Sequence, residues 1–142
     1  MTRVVLDSNV IASGLTATSG TVALIARRWL SDEFMLITSE HIIAEVTIAW
    51  NKPYWQARVP PGVTTQLLEV LTRRAEIVLI TRTVSRIAAH PHDDLVIATA
   101  ISGNASLIVT GDREFLRVRQ YEGVEIISPQ EFLTRLDETD AS

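Results

Sequence analysis

The chain begins with an apolar, valine-rich run, Arg3-Val4-Val5-Leu6, that passes directly into Asp7-Ser8-Asn9-Val10 and then into helix-compatible sequence. Successive apolar side chains leave no face to turn towards water, so the run predicts a strand covered on both sides, as in the middle of a parallel sheet. The carboxyl end of such a strand opens on the crevice where open α/β sheets keep their ligands. Asp7 stands at that end. Its position predicts that the fold brings other acids to it, and that together they hold a divalent metal.

The totals permit this. A chain of 142 residues has the length of one domain, and at that size it buries roughly 70% of its extended surface without needing staples. No apolar run approaches the ~20 residues of a membrane span, and the first residues lack the pattern of a signal peptide. With no cysteine there is neither a disulfide nor a thiolate zinc site, and a cytoplasmic location is the expectation. The net charge of −4 argues by itself against a nucleic-acid partner. Two features weaken that argument. Lys52 is the only lysine among 13 basic residues, and arginine suits bidentate contact with phosphate. A bound cation would also neutralise some of the carboxylates.

Further along, apolar residues recur at helical spacing over 21–30 and 40–50, with a strand expected at 34–38 between them. Asn51-Lys52-Pro53 ends the second of these helices. A helix is expected over 63–75, a third strand at 77–80 and a short helix at 82–89. An almost wholly apolar helix follows at 93–102, then strands at 107–110 and 125–127. Ser128-Pro129-Gln130-Glu131 reads as a capping box with proline at the first helical position, opening a last helix to Leu136. Residues 1–136 are read as one domain and 137–142 as a polar tail. Strands alternating with helices predict an α/β fold, a three-layer α/β/α sandwich around a parallel sheet of about five strands.

Four acids hold corresponding places in this pattern. Asp7 and Asp112 follow apolar strands, Glu45 lies on the core-facing stripe of its helix, and Asp94 opens the apolar helix. Carboxylates gathered in one crevice repel one another and raise a pKa. A hard divalent cation such as Mg²⁺ or Mn²⁺ removes that penalty, prefers oxygen ligands and keeps several waters. Such an ion activates water and stabilises charge growing on a phosphodiester oxygen. Plainer readings stand beside this one. Asp7 and Asp112 are each placed to cap a following helix, whereas a cap cannot explain Glu45 in mid-helix on an apolar stripe. The helix opened by Asp93 and Asp94 is apolar all round, so periodicity does not separate the two.

The segments Leu6-Asp7-Ser8-Asn9-Val10, Ile42-Ile43-Ala44-Glu45-Val46, Asp94-Leu95-Val96-Ile97-Ala98 and Val109-Thr110-Gly111-Asp112-Arg113-Glu114-Phe115 together resemble the PIN-domain family, in particular its toxin-like group related to VapC ribonucleases. The resemblance runs from Arg3 to about Leu136. It implies a Mg²⁺- or Mn²⁺-dependent ribonuclease acting on single-stranded RNA, with Asp7, Glu45, Asp94 and Asp112 as its acidic quartet. Ser8 and Asn9 match the polar positions that follow the first acid. Asp93 fits less well, because the acid three residues before the Ile-Ala pair is Asp94. The resemblance further implies a toxin restrained by a small antitoxin protein, and a homodimer.

Of the remaining polar residues, Arg113, Arg117 and Arg119 are candidates for phosphate contacts. His41, His90 and His92 lack zinc-site spacing, and the aromatic cluster from Trp50 to Trp55 is read as core or dimer surface ahead of a base-stacking face. There are three rival readings. A PIN nuclease that processes RNA without a toxin role is the nearest. A phosphatase of the haloacid dehalogenase type would need a second aspartate where Asn9 stands, and a lysine near the later acids. A non-catalytic RNA- or protein-binding module would gain nothing from a repulsive carboxylate cluster.

Overall fold

The computed structural model describes residues 1–141, and of residues 140 and 141 only the backbone. In chain order the described residues form β1 (Arg3–Leu6), α1 (Ser8–Thr16), α2 (Thr21–Leu30), β2 (Met35–Thr38), α3 (Glu40–Trp50), α4 (Pro53–Gln56) and α5 (Val63–Arg74). They continue with β3 (Glu76–Ile77), α6 (Pro91–Ser102), β4 (Leu107–Val109), α7 (Arg113–Leu116), β5 (Gln120–Tyr121), β6 (Val124–Ile127) and α8 (Pro129–Ala141).

The strands join in one sheet in the order β3-β2-β1-β4-β6-β5. β1 runs parallel to β2 on one side, with Val4 opposite Leu36, and parallel to β4 on the other, with Val5 opposite Ile108. Val4 and Val5 are completely buried, which is what a run without a polar face requires. The chain steps outward from β1 through β2 to β3, then returns to the opposite side of β1 at β4. That reversal makes a switch point between β1 and β4, and a crevice opens beyond their carboxyl ends. Helices flank the sheet to complete an α/β/α sandwich. α6 packs on β1, β2 and β4, while α2 packs on α8. Phe34 and Phe132 meet edge to face with centroids 5.0 Å apart, fastening the start of β2 to α8.

The sheet departs from the expected five parallel strands in two ways. β5 adds an antiparallel sixth strand, turned back on β6 through Glu122 and Gly123, both at positive φ. β3 stops at Ile77. Val78 still donates its N–H to Thr38 at 2.9 Å, but Leu79 is 81% exposed, so the apolar run extends past the end of the sheet into solvent. The short helix expected over 82–89 does not form. Three consecutive N–H groups of that segment, on Arg86, Ile87 and Ala88, are taken by the Asp94 carboxylate, and Arg86 adopts φ 59°. A side chain that collects neighbouring backbone donors competes directly with helical hydrogen bonds. At the other end α8 continues to Ala141, past the expected stop at Leu136; Ser142 lies outside the described residues. Among the described residues no single helix is long and apolar enough to cross a membrane.

Candidate active site

β1 delivers Asp7 to the switch point and α1 begins at the next residue. The Asp7 side chain caps that helix, its Oδ1 accepting the Ser8 N–H at 2.8 Å. Its Oδ2 accepts the hydroxyl of Thr110, the residue after β4, at 2.8 Å. The same hydroxyl accepts the Asp112 N–H at 3.1 Å, so the two strand ends are joined through one side chain. Asp112 is also a cap, with Oδ1 accepting the Glu114 N–H at 2.9 Å. Capping and crevice lining therefore coexist at both positions, because a carboxylate oxygen that accepts one hydrogen bond keeps a second lone pair.

The crevice has a volume of about 240 Å³ and is lined by Asp7, Ser8, Asn9, Glu45, Ile48, Ala49, Lys52, His92, Asp93 and Asp112. A larger hollow of about 360 Å³ beside Tyr54, Trp55 and Arg58 contains no acid, so its size does not make it the chemical centre. Of the acids expected from sequence, Asp7, Glu45 and Asp112 come together. Asp94 does not, and that assignment is corrected. Both of its oxygens are engaged outside the crevice by the N–H groups of residues 86–88, at 2.8 to 3.2 Å. Asp93 stands in the crevice instead, although it is the neighbour that matched the motif less well. Consecutive helical residues point about 100° apart, so one faces the sheet end and the other the incoming loop.

Burial dominates the electrostatics of this crevice. It pushes the Asp7 carboxyl above its ordinary value, opposed by the hydrogen bonds from Thr110 and Ser8, with Asp112 adding a further upward push. Burial likewise raises Asp93 to about 6; His92 lowers it, while Asp7 and Asp112 raise it. Asp93 Oδ2 and Glu45 Oε1 are buried with no hydrogen-bond partner among the described residues. Glu45 Oε1 does lie 3.3 Å from His41 Nε2, but that nitrogen donates to the His92 carbonyl at 3.2 Å. Buried carboxylate oxygens without donors are costly unless a cation meets them.

This donor set fits a hard divalent ion: all oxygen, crowded, partly desolvated and short of partners. Among the described residues no three His, Asp or Glu side chains already enclose a single point. Few protein contacts and several retained waters are the habit of Mg²⁺.

One charged lining residue escaped the sequence reading. Lys52, between α3 and α4, reaches the crevice wall, so its distance in sequence from the later acids does not exclude a lysine at the site. Asn9 in place of the second aspartate still argues against the phosphatase. His92 also lines the wall, with Nε2 3.4 Å from Asp93 Oδ1. Neither Arg113 nor Arg117 lines the crevice; Arg117 borders a separate depression with Ile87 and Glu114. Trp50 is core, 3% exposed, with its indole N–H donated to the Ala12 carbonyl at 3.2 Å.

An acid-lined crevice at the switch point of a mostly parallel six-stranded sheet defines the class: an α/β protein built around a polar, cation-ready site. The chain belongs to the PIN domain family, whose model matches residues 3–114. Solved structures share the fold. PAE2754 from Pyrobaculum aerophilum aligns with TM-score 0.67 and 18% identity, covering 96% of this chain and 90% of that one. VapBC2 from Rickettsia felis, bound to a DNA fragment from its promoter, aligns with TM-score 0.59 and 15% identity over 89% of this chain and 98% of that one. FitAcB from Neisseria gonorrhoeae gives TM-score 0.58 and 16% identity, with the same 89% and 98% coverage. Identities this low show the fold alone. No curated protein matches the sequence.

Proposed function

We propose that this PIN domain is a Mg²⁺- or Mn²⁺-dependent endoribonuclease that hydrolyses phosphodiesters of single-stranded RNA, and that it is the toxin of a toxin–antitoxin pair. One observation carries the catalytic part. Asp7, Glu45, Asp93 and Asp112, from four separate segments, line one crevice in which burial raises two of them and two oxygens lack donors. A binding module would gain nothing from that arrangement. The acids are the residues that would hold the ion, and a bound ion supplies activation of water and neutralisation of charge on the phosphate.

The chain's own residues do the rest. Thr110 and the Ser8 N–H fix both oxygens of Asp7, so that acid approaches an ion in one orientation. Ser8 and Asn9 line the wall beside it as hydrogen-bonding groups for water or a phosphate oxygen. Lys52 brings positive charge to a wall otherwise set by acids and is placed for a phosphate. Arg113 and Arg117, outside the crevice, would contact RNA backbone beyond the cut, and no cysteine is available as a covalent nucleophile.

The likeness to VapBC2 and FitAcB supports a small antitoxin protein as the partner; a homodimer and a cytoplasmic site of action belong to the same proposal. The test is cleavage of a labelled unstructured oligoribonucleotide with Mn²⁺, with EDTA, and by Asp93→Asn. Metal-dependent cutting lost in Asp93→Asn supports the assignment. Brisk turnover of p-nitrophenyl phosphate with no cutting of RNA overturns it. Growth arrest on expression, relieved by the product of a short neighbouring reading frame, separates a toxin from a processing nuclease.

A further inference from the structure

From the geometry at the crevice mouth we infer that the stacked imidazoles of His90 and His92 are a platform for an unpaired RNA base, and that Asp94 is the residue that positions it. The inference rests on the nuclease reading above.

The two rings lie nearly parallel, 8° apart, with centroids separated by 5.4 Å. Each side chain is about half exposed, 51% and 52%, although His92 borders the buried acids. Their edges face carboxylates. His90 Nε2 is 3.4 Å from Glu114 Oε2, and His92 Nε2 is 3.4 Å from Asp93 Oδ1. Contacts at the edges set the orientation of the rings while half their surface stays open to solvent. A crevice walled by acids attracts phosphate poorly, so binding that does not depend on charge has particular value there. Stacking is such a contact, since every base has a π-face.

The pair is held from behind. Asp94, 5% exposed, accepts the N–H groups of Arg86, Ile87 and Ala88 at 3.0, 3.2 and 2.8 Å. Arg86 is thereby kept at φ 59°, a conformation that a side chain of that size rarely adopts unless its surroundings demand it. The segment then has only Ala89 to cross before His90, and Pro91 opens α6. From the opposite wall the His41 Nε2–H donates to the His92 carbonyl at 3.2 Å. Asp94 and Asp93 thus divide the work of one helix start: one anchors the entering loop, the other faces the ion.

The experiment is steady-state cleavage of an unstructured oligoribonucleotide with Mn²⁺ by four proteins: the natural chain, the double variants His90→Ala/His92→Ala and His90→Phe/His92→Phe, and Asp94→Asn. Each is also melted with and without Mn²⁺, which reports folding and the integrity of the acids independently of RNA. The alanine pair is expected to raise KM about tenfold, the value of one lost base stack, with a smaller loss in kcat. The phenylalanine pair, which keeps faces but not ring nitrogens, should return KM to within about threefold of the natural chain. Asp94→Asn should raise KM as the alanine pair does, keep its Mn²⁺ shift, and become open to trypsin at Arg82 and Arg86. An alanine pair with unchanged KM, or a phenylalanine pair as impaired as the alanine pair, overturns the platform while leaving the nuclease intact. A natural chain that neither binds nor cuts RNA removes both.

Discussion

The Thr110 hydroxyl donates to Asp7 Oδ2 at 2.8 Å and in the same position accepts the Asp112 N–H at 3.1 Å, so one fully buried side chain couples the two acids that follow β1 and β4. Thr110→Val keeps the shape and removes both bonds. Leaving buried polar groups unsatisfied costs about 1–3 kcal/mol, and a melt should show that loss. The bond from Thr110 lowers the Asp7 pKa, so its removal pushes Asp7 further up and makes protons stronger competitors for any cation. Mn²⁺ should then raise the melting temperature less at neutral pH. Thr110→Ser should restore most of both effects.

The adjacent acids of α6 should respond in opposite ways. Asp93→Asn is expected to abolish most of the stabilisation that Mn²⁺ confers by binding the native state, with no loss of stability in its absence at neutral pH. Asp94→Asn is expected to keep the Mn²⁺ effect but to lose on the order of 3 kcal/mol, since three backbone donors lose a charged acceptor. Melting curves of the two variants, with and without Mn²⁺, check the exchange of roles.

Metal-free stability should carry a signature of Asp93 in its pH dependence. Its folded-state pKa of about 6 lies above the ordinary 3.8, so the native state holds a proton that the unfolded chain releases. The contribution is fully present below pH 3.8, and it falls away as pH rises through about 6. The effect should be read as a fall in the metal-free melting temperature between pH 3.8 and about 6. Asp93→Asn should flatten this part of the profile and raise the metal-free melting temperature at neutral pH. Added Mn²⁺ should have its largest effect above pH 6, where the acid is ionised.

Packing at the end of α6 offers a prediction away from the acids. A Cβ on Gly103 would lie 2.4 Å from Ile37 Cγ2, at the point where Arg3 Nη2 donates to the Gly103 carbonyl at 2.7 Å. Gly103→Ala must displace Ile37 of β2 or the end of α6, and should cost about 1–3 kcal/mol, read as a lower denaturation midpoint with the metal response intact.

The rhythm of strands and helices was legible in the chain because apolar spacing is a local property. Val4 and Val5 announced a buried central strand, and the acids after β1 and β4 could be placed at a sheet end without coordinates. Glu45 was legible for the same reason: a charge on the stripe that includes Ile42 and Val46 has to be met from outside its own helix. Failures occurred where partners lay far along the chain or where periodicity was mute. Nothing local to 82–89 shows that its N–H groups will be claimed by Asp94, and the brevity of β3 depends on its edge position.

By itself, then, the sequence determined the alternating fold and the placing of three acids at strand ends and on a core-facing stripe, since each is encoded in short-range hydrophobic pattern. The strand order that makes the switch point, the choice of Asp93 over Asp94 and the arrival of Lys52 belonged to the tertiary structure. An apolar helix buried on several sides carries no sequence mark of which face meets which neighbour, and 100° of rotation between adjacent residues sends one carboxylate to the crevice and the other to the loop.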